Sequence, residues 1–231
     1  YLGASIVKRA QEREKIAVKY YNPRDFVEPK KTVGADGKIA KRPKHAPLTY
    51  AERRVDDRPY GGGPGMVLEA LPIIKAIDAA VGTKMKTAAG KKKVKIVFFN
   101  PGGEMFTNEV ADTLKTYTDV VFVCGRYEGI DARVKKVFPM IDISVGDYTL
   151  TGGELPAMVL IDAITRRIPG VLGDDLSVEE ARVASRDVYT RPAVIEYKKK
   201  KYKVPDILLS GHHAKMDEWK MKRNEKGGRA Q

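Results

Sequence analysis

A single cysteine, Cys124, stands in this chain of 231 residues, so no disulfide can form within it. The lone thiol and the absence of a recognisable signal peptide predict a cytoplasmic protein. Long apolar runs are also missing. The most apolar stretch, AMVLIDAI, is interrupted by Asp162, and it is far shorter than the roughly 20 residues that span a membrane. A disulfide scaffold and a membrane partner are therefore not expected.

Several motifs of nucleotide and metal chemistry are absent as well. No G-x-G-x-x-G, G-x-x-x-x-G-K-[ST] or G-x-S-x-G occurs, which argues against a dinucleotide fold, a P-loop and a serine hydrolase. His212 and His213 are adjacent, His45 lies in a lysine-rich stretch, and the one cysteine has no second thiol. A tetrahedral metal site is not predicted.

Positive charge dominates the composition. Forty-three Lys and Arg against thirty Asp and Glu give a formal net charge of +13. Phosphate neutralisation and counterion release make nucleic acid the leading partner for such a surface, although a basic surface without such a partner is the alternative. The basic residues gather in three stretches, at 30–44, 91–93 and 198–201.

Apolar runs rich in β-branched residues alternate with helix-like segments over much of the chain. This alternation predicts an α/β fold with a mostly parallel sheet that helices cover on both faces. A helix at 4–13 and a strand at 15–21 are predicted to come first. The alternating part has predicted strands at 94–99, 119–124 and 140–145 and predicted helices at 71–81, 107–117, 132–137 and 154–165.

A turn with glycine follows each of the three predicted strands of the sheet. These turns are Asn100–Gly103, CGRYEGID at 124–131 and SVGDYTLTGGELPA at 144–157. Parallel strands end at the same edge of a sheet, and ligands in such folds bind beyond that edge. The sequence therefore predicts one ligand site formed by three turns.

Other segments have loop composition. Residues 27–54 form an insertion-like loop, and VDDRPYGGGPGM at 55–66, with Asp57 and Arg58, is predicted to contact a ligand or RNA. After a predicted linker at 174–192, a hairpin at 194–204 and a terminal helix at 212–223 are expected.

Six blocks together carry a family resemblance: DDRPYGGGPGMVL, CGRYEGIDARV, SVGDYTLTGGELPA, RRIPGVLG, YTRP and LLSGHHAKMDEW. The chain resembles the bacterial tRNA (guanine-N1)-methyltransferases, the TrmD family of the SPOUT superfamily, over almost its whole length. The resemblance implies a deep trefoil knot in the α/β domain, residues 1–173, with S-adenosylmethionine bound in it. It also implies a homodimer, a short helical tRNA-binding domain at 193–231, and Mg²⁺ as a second candidate cofactor.

The resemblance also assigns the residues of the cofactor site. Glycine turns leave backbone N–H and C=O groups accessible, and these groups can recognise an adenosine ring. The alternative is that the glycines only permit tight turns. The predicted cofactor residues are Asn100, Pro101, Gly125, Val145, Gly146, Asp147, Tyr148, Thr149, Leu150, Gly152, Gly153 and Pro156.

By the same resemblance, the substrate is the guanosine 3′ of the anticodon in tRNA, methylated at N1. The reaction needs a general base for the N1 proton and a cation for charge at O6. Arg166 matches the family's arginine. The family's catalytic aspartate falls on Ala181 here, so Glu180 is the predicted base, with Glu179 and Asp187 as alternatives. The predicted substrate contacts are Asp57, Arg58, Arg126 and Glu128.

Two further departures from the family pattern are expected. The chain begins at what resembles the family's second segment, without its first strand, and the C-terminal domain is short. Because of the missing aspartate, a non-catalytic RNA-binding relative is an alternative function. A SPOUT enzyme with another RNA target is a third possibility, which the DDRPYGGGPGM and YTRP blocks disfavour.

Overall fold

The computed structural model describes residues 2–28, 47–172 and 187–225. The chain divides into two compact units, Tyr1–Val171 and Leu172–Gln231. Most of the predicted insertion and most of the predicted linker, including Glu179, Glu180 and Ala181, lie outside the described residues. The roles assigned to these segments therefore stay predictions.

The first unit contains six α-helices among its described residues. The predicted helices form with small changes at their ends, and α6 has the predicted bounds. Thr107 caps α4 by accepting a hydrogen bond from the backbone N–H of Val110 at 3.4 Å. The helices are α1 Ser5–Glu12, α2 Ala70–Val81, α3 Ala88–Lys91, α4 Asn108–Leu114, α5 Arg133–Val137 and α6 Glu154–Thr165, with 3₁₀ turns at Pro23–Phe26 and Gly82–Lys86.

Five strands of this unit form two sheets. β1 Asp56–Asp57 and β2 Val67–Leu68 pair antiparallel and close the predicted glycine-rich loop. The central sheet consists of β3 Val94–Met105, β4 Asp119–Val123 and β5 Ile141–Ser144, in the order β4-β3-β5. All its pairings are parallel, so the predicted parallel α/β sheet is confirmed.

The apolar side chains of β3 alternate between the two faces of the sheet. Ile96 and Phe98 join a core with α2 and α5, whereas Val97, which is fully buried, joins a second core with α4 and α6. This alternation is the period of two of a strand with both faces covered. The predicted helical layers therefore lie on both faces.

β3 is longer than predicted because it resumes after its turn. Its register with β5 shifts between Phe99 and Glu104, so that residues 100–103 bulge out of the ladder. A Cβ at Gly103 would lie 2.6 Å from the carbonyl carbon of Asp142. Only glycine therefore lets the strand return to β5 at this point.

The prediction of a strand at 15–21 is wrong. This segment is irregular and pairs with no strand among the described residues. The backbone N–H of Lys15 donates instead to the carbonyl of Ala10 at 2.9 Å, at the end of α1. The alternating pattern that suggested a strand produces only half-buried Ile16 and Val18.

The second unit has the predicted hairpin and terminal helix. β6 Val194–Tyr197 and β7 Lys200–Lys203 pair antiparallel, and α7 His213–Glu225 follows a 3₁₀ turn at Asp206–Leu209. The rings of Tyr189 and Trp219 lie 6.5 Å apart. Among the described residues of both units, no helix is long and apolar enough to cross a bilayer.

Candidate active site

Three loops surround a cavity of about 390 Å³ at the bulge of β3 and the carboxyl ends of β4 and β5. The first is the bulge of β3 and the second follows β4 as GRYEG. The third runs from the end of β5 to the first turn of α6. The three turns that the sequence predicts to form one site therefore do meet, at the edge of the sheet where ligands bind in such folds.

Eleven of the twelve predicted cofactor residues line this cavity, and Asp147 lies outside the lining. Arg126 and Glu128, which were predicted to contact the substrate, also line it. Their binding roles stay predictions. The eleven are Asn100, Pro101, Gly125, Val145, Gly146, Tyr148, Thr149, Leu150, Gly152, Gly153 and Pro156.

The backbones of two loops touch at Gly125 and Gly153. The N–H of Gly153 donates to the carbonyl of Gly125 at 3.0 Å, and Arg126 and Gly152 form an antiparallel bridge beside it. A Cβ at Gly153 would lie 2.6 Å from Cα of Cys124 and 3.1 Å from the Phe99 ring. The N–H of Gly153 and the carbonyl of Gly125 are thus paired with each other. These two glycines form the cavity wall because their lack of a side chain lets the two backbones approach closely.

The loop after β5 is curled by local hydrogen bonds. Ser144 Oγ donates to the carbonyl of Gly146 at 2.9 Å, and the Tyr148 hydroxyl donates to the carbonyl of Val145 at 3.2 Å. The Tyr148 ring covers Gly146 so closely that a Cβ there would lie 2.2 Å from a ring carbon. A side chain at 146 would therefore displace the exposed Tyr148 ring from its place over the loop.

A polar cluster beside the cavity was not predicted from the sequence. Lys135 Nζ donates to both carboxylate oxygens of Asp142, at 2.7 and 2.6 Å, and Asn100 Nδ2 donates to the same carboxylate at 2.9 Å. The lysine also lies 4.8 Å from the centroid of the Phe98 ring. The available signal was Asp142 itself, a charge inside the apolar strand β5, since a half-buried carboxylate needs a partner.

Arg126 ties the second loop to α6. Its guanidinium donates to Glu154 Oε1 at 2.7 and 3.0 Å. Both side chains are about half exposed, so the pair contributes little to stability, but it orients the Arg126 side chain at the cavity rim. Glu154 lies in the first turn of α6, where the helix dipole favours a carboxylate.

The glycine loop, residues 55–66, packs against the second loop of the cavity. A Cβ at Gly65 would lie 2.5 Å from a carboxylate oxygen of Glu128, and the N–H of Glu128 donates to the carbonyl of Met66 at 3.1 Å. Asp57 and Arg58 lie outside the cavity lining. The Asp57 carboxylate accepts a hydrogen bond from the backbone N–H of Arg58 at 2.8 Å. Their predicted ligand contacts stay predictions.

The predicted catalytic residues lie away from the cavity or outside the described chain. Arg166 caps the C-terminal end of α6, whereas the N-terminal end of that helix lines the cavity. Twelve helical residues separate these ends, a length of about 18 Å. Asp187 belongs to the second unit, where it lines a groove with Tyr189, Arg191 and Trp219.

Comparison with known proteins decides the family. The family model described as tRNA (Guanine-1)-methyltransferase TrmD matches residues 48–231. The chain belongs to this family. It is 39% identical over 222 residues to a tRNA (guanine-N(1)-)-methyltransferase of Dictyoglomus turgidum, covering 94% of this chain and 76% of that protein.

Other members of the family show similar agreement. The chain is 38% identical over 227 residues to the protein of the same name from Carboxydothermus hydrogenoformans, covering 96% of this chain and 76% of the relative. It is 38% identical over 229 residues to the Bacillus pumilus protein, covering 97% of this chain and 81% of the relative. The resemblance predicted from the six motif blocks is thereby confirmed.

Cys124 packs behind the cavity wall, and its thiol is not activated as a nucleophile. Burial, and secondarily the negative charge of Glu154, raises the pKa of its thiol to about 11. A nucleophilic cysteine needs a lowered pKa. Cys124 is therefore a packing residue that holds the wall formed with Gly153.

We expect Gly153→Ala to distort this wall. The added methyl group would meet the backbone of Cys124 at 2.6 Å, which a side-chain rotation cannot relieve, and overpacking of this kind costs about 1–3 kcal/mol. The free energy of unfolding in urea measures the cost. Gly102→Ala is the matched control, because its Cβ would meet only Asn100 Oδ1 at 3.7 Å. Equal costs at the two positions would contradict this role for Gly153.

The raised pKa of Cys124 predicts a pH dependence. The folded value of about 11 exceeds the ordinary 9.0, so the stabilisation is complete below pH 9 and is lost as the pH rises from 9 through 11, by about 3 kcal/mol in total. Alkylation of the only cysteine should follow the same titration. In the native protein the alkylation rate should have its midpoint near pH 11, and in urea near pH 9. A native midpoint below 9 would contradict the burial.

Proposed function

We propose that this protein transfers a methyl group from S-adenosylmethionine to N1 of the guanosine 3′ of the anticodon in tRNA. The observation that carries the proposal is the family match over residues 48–231 together with the meeting of three family motifs around one cavity. The relatives' names state methylation of tRNA at guanine N1. The net charge of +13 suits a polyanionic substrate.

The cavity fits the methyl donor in size and lining. Its volume of about 390 Å³ lies within the roughly 300–1,000 Å³ of small-molecule and cofactor sites. Apolar walls from Phe98, Ile130 and Pro156 are combined with residues 145, 146 and 148–150 of the loop and with the polar residues Asn100 and Glu128. When bound, S-adenosylmethionine supplies a methyl group activated by a positively charged sulfur. The chain must bind it, orient it and exclude water.

Methylation at N1 requires two further groups from the protein. The N1 proton must move to a base, and negative charge must be stabilised at O6. We assign the second role to Arg166, and the first to Glu180, with Glu179 and Asp187 as alternatives. A carboxylate in the linker segment takes the proton, and the fixed positive charge of the arginine lowers the barrier to its removal.

The position of Arg166 favours a homodimer. It lies about 15 Å along α6 from Pro156, the last residue of that helix to line the cavity of its own protomer, so a second protomer offers the route by which it serves a site. The same helix exposes Leu155 and Val159, which are 55% and 50% accessible and one turn apart. An exposed apolar pair on a central helix suits a surface that a second copy covers.

The remaining family properties belong to the same proposal. We expect the loop after β5, closed by the Arg126–Gly152 bridge, to form the deep trefoil knot, and the second unit to be the tRNA-binding domain. We expect the protein in the cytoplasm, where its substrate is. Mg²⁺ is a family cofactor, but no group of three carboxylates, histidines or cysteines gathers in the described residues to hold it, so no residue is assigned to it.

The test is methylation of an unmodified tRNA transcript, with the product nucleoside identified by mass spectrometry. N1-methylguanosine at the position 3′ of the anticodon is expected, and a transcript with adenosine there should give none. Binding of S-adenosylmethionine without turnover would favour the non-catalytic relative. Glu180→Gln and Asp187→Asn identify the base, because full activity in both would exclude these two carboxylates.

Mixed dimers test the role of Arg166. Arg166→Ala and Gly153→Ala should each lose activity, the former by roughly 100-fold or more. If Arg166 acts in the partner's cavity, random mixing of the two variants gives about half mixed dimers, each with one intact site. Activity should then recover to about a quarter of the wild-type value. No recovery in verified mixed dimers would place Arg166 in its own protomer's site.

A further inference from the structure

The hairpin of β6 and β7 carries an unusual density of positive charge. Its ten residues, 194–203, contain five lysines and one glutamate, a formal charge of +4. Every one of these residues is exposed. The hairpin is thus a basic ribbon on the surface of the second unit, with two sides that its register defines.

One side of the ribbon combines aromatic rings with amines. Directly opposed residues of an antiparallel pair share a face, and the register opposes Ile195 to Tyr202 and Tyr197 to Lys200. The two tyrosines are therefore on one face, 63% and 46% exposed. Lys198 Nζ lies 5.3 Å from the Tyr197 ring centroid, and Lys200 Nζ lies 5.7 Å from that of Tyr202.

The turn of the hairpin has residues that its backbone does not favour. Lys198 and Lys199 have φ of +50° and +62°, a conformation that two-residue hairpin turns normally give to Asn and Gly. Lysine gains nothing from this geometry. A residue choice that violates the local rule is expected where function requires it, and here the choice adds two positive charges at the tip.

We infer that this hairpin is an RNA-contacting surface that binds unpaired nucleotides of the tRNA substrate. Bases stack on Tyr197 and Tyr202, as they do on aromatic side chains in proteins that bind single-stranded RNA. The amines next to the rings neutralise the adjoining phosphates, with Lys198 and Lys199 at the tip and Lys200 beside Tyr202. The inference rests on the proposed function for the identity of the RNA, and it adds a contact site on the second unit.

The decisive variant is Lys198→Asn/Lys199→Gly in the full-length chain. It removes two charges and at the same time supplies the residues that the turn favours, so unfolding of the hairpin cannot account for a loss of binding. Affinity for the tRNA transcript is measured by fluorescence anisotropy over a range of NaCl concentrations. We expect roughly tenfold weaker binding at 0.1 M salt and a salt slope smaller by about 1.4 to 1.8.

Two further variants separate charge from stacking. Tyr197→Leu/Tyr202→Leu should weaken binding roughly fivefold or more, with an unchanged salt slope. Arg9→Gln/Arg13→Gln removes the same charge from exposed positions at α1 and should have a much smaller effect than the turn variant. Unchanged binding in the turn variant, or an equal loss in the α1 control, would overturn the inference.

Two more measurements distinguish RNA binding by the hairpin from membrane binding and from an effect on the chemical step. Vesicles containing phosphatidylserine are tested as an alternative partner, and loss of vesicle binding with intact tRNA binding in the turn variant would overturn the assignment to RNA. In the methylation assay, the turn variant should raise KM for tRNA and leave kcat unchanged. Binding is measured without turnover, so a failure of the methylation proposal and a failure of the hairpin inference give different results.

Discussion

The close approach of two backbones at Gly125 and Gly153 is the constraint on which the site depends. The N–H of Gly153 reaches the Gly125 carbonyl at 3.0 Å, with Cys124 packed directly behind. This contact fixes the start of α6 against the end of β4. It therefore sets the shape of the cavity, and through the length of α6 it also sets how far Arg166 lies from that cavity.

The sequence predicted those features that depend on local pattern. The bounds of α6, the parallel strands and the meeting of three glycine turns followed from apolar periodicity and from the parallel sheet. The prediction of a strand at 15–21 failed because an alternating pattern of apolar residues indicates half-buried side chains but does not show whether a partner strand is present. The resumption of β3 after residues 100–103 depends on β5, a strand some forty residues later, and a local pattern does not contain that information.

Some polar groups of the site were likewise predicted from the sequence, and others were found only in the structure. Arg126 and Glu128 were predicted because they lie inside a motif of the family that the chain belongs to. Lys135, Asp142 and Asn100 come together only through the fold, which places α5 beside β5 and the bulge of β3. The hairpin lysines were visible as a charge run, but the face that combines Tyr197 with Tyr202 required the strand register.

Hydrogen–deuterium exchange of the full-length protein, with and without S-adenosylmethionine, tests the central claim most directly. If the methyl donor binds in the glycine cavity, backbone exchange should slow at residues 100–103, 125–130 and 145–153 together. Exchange in the hairpin at 194–203 should not change. Slowing confined to other segments, or none at saturating ligand, would contradict binding of the methyl donor in this cavity.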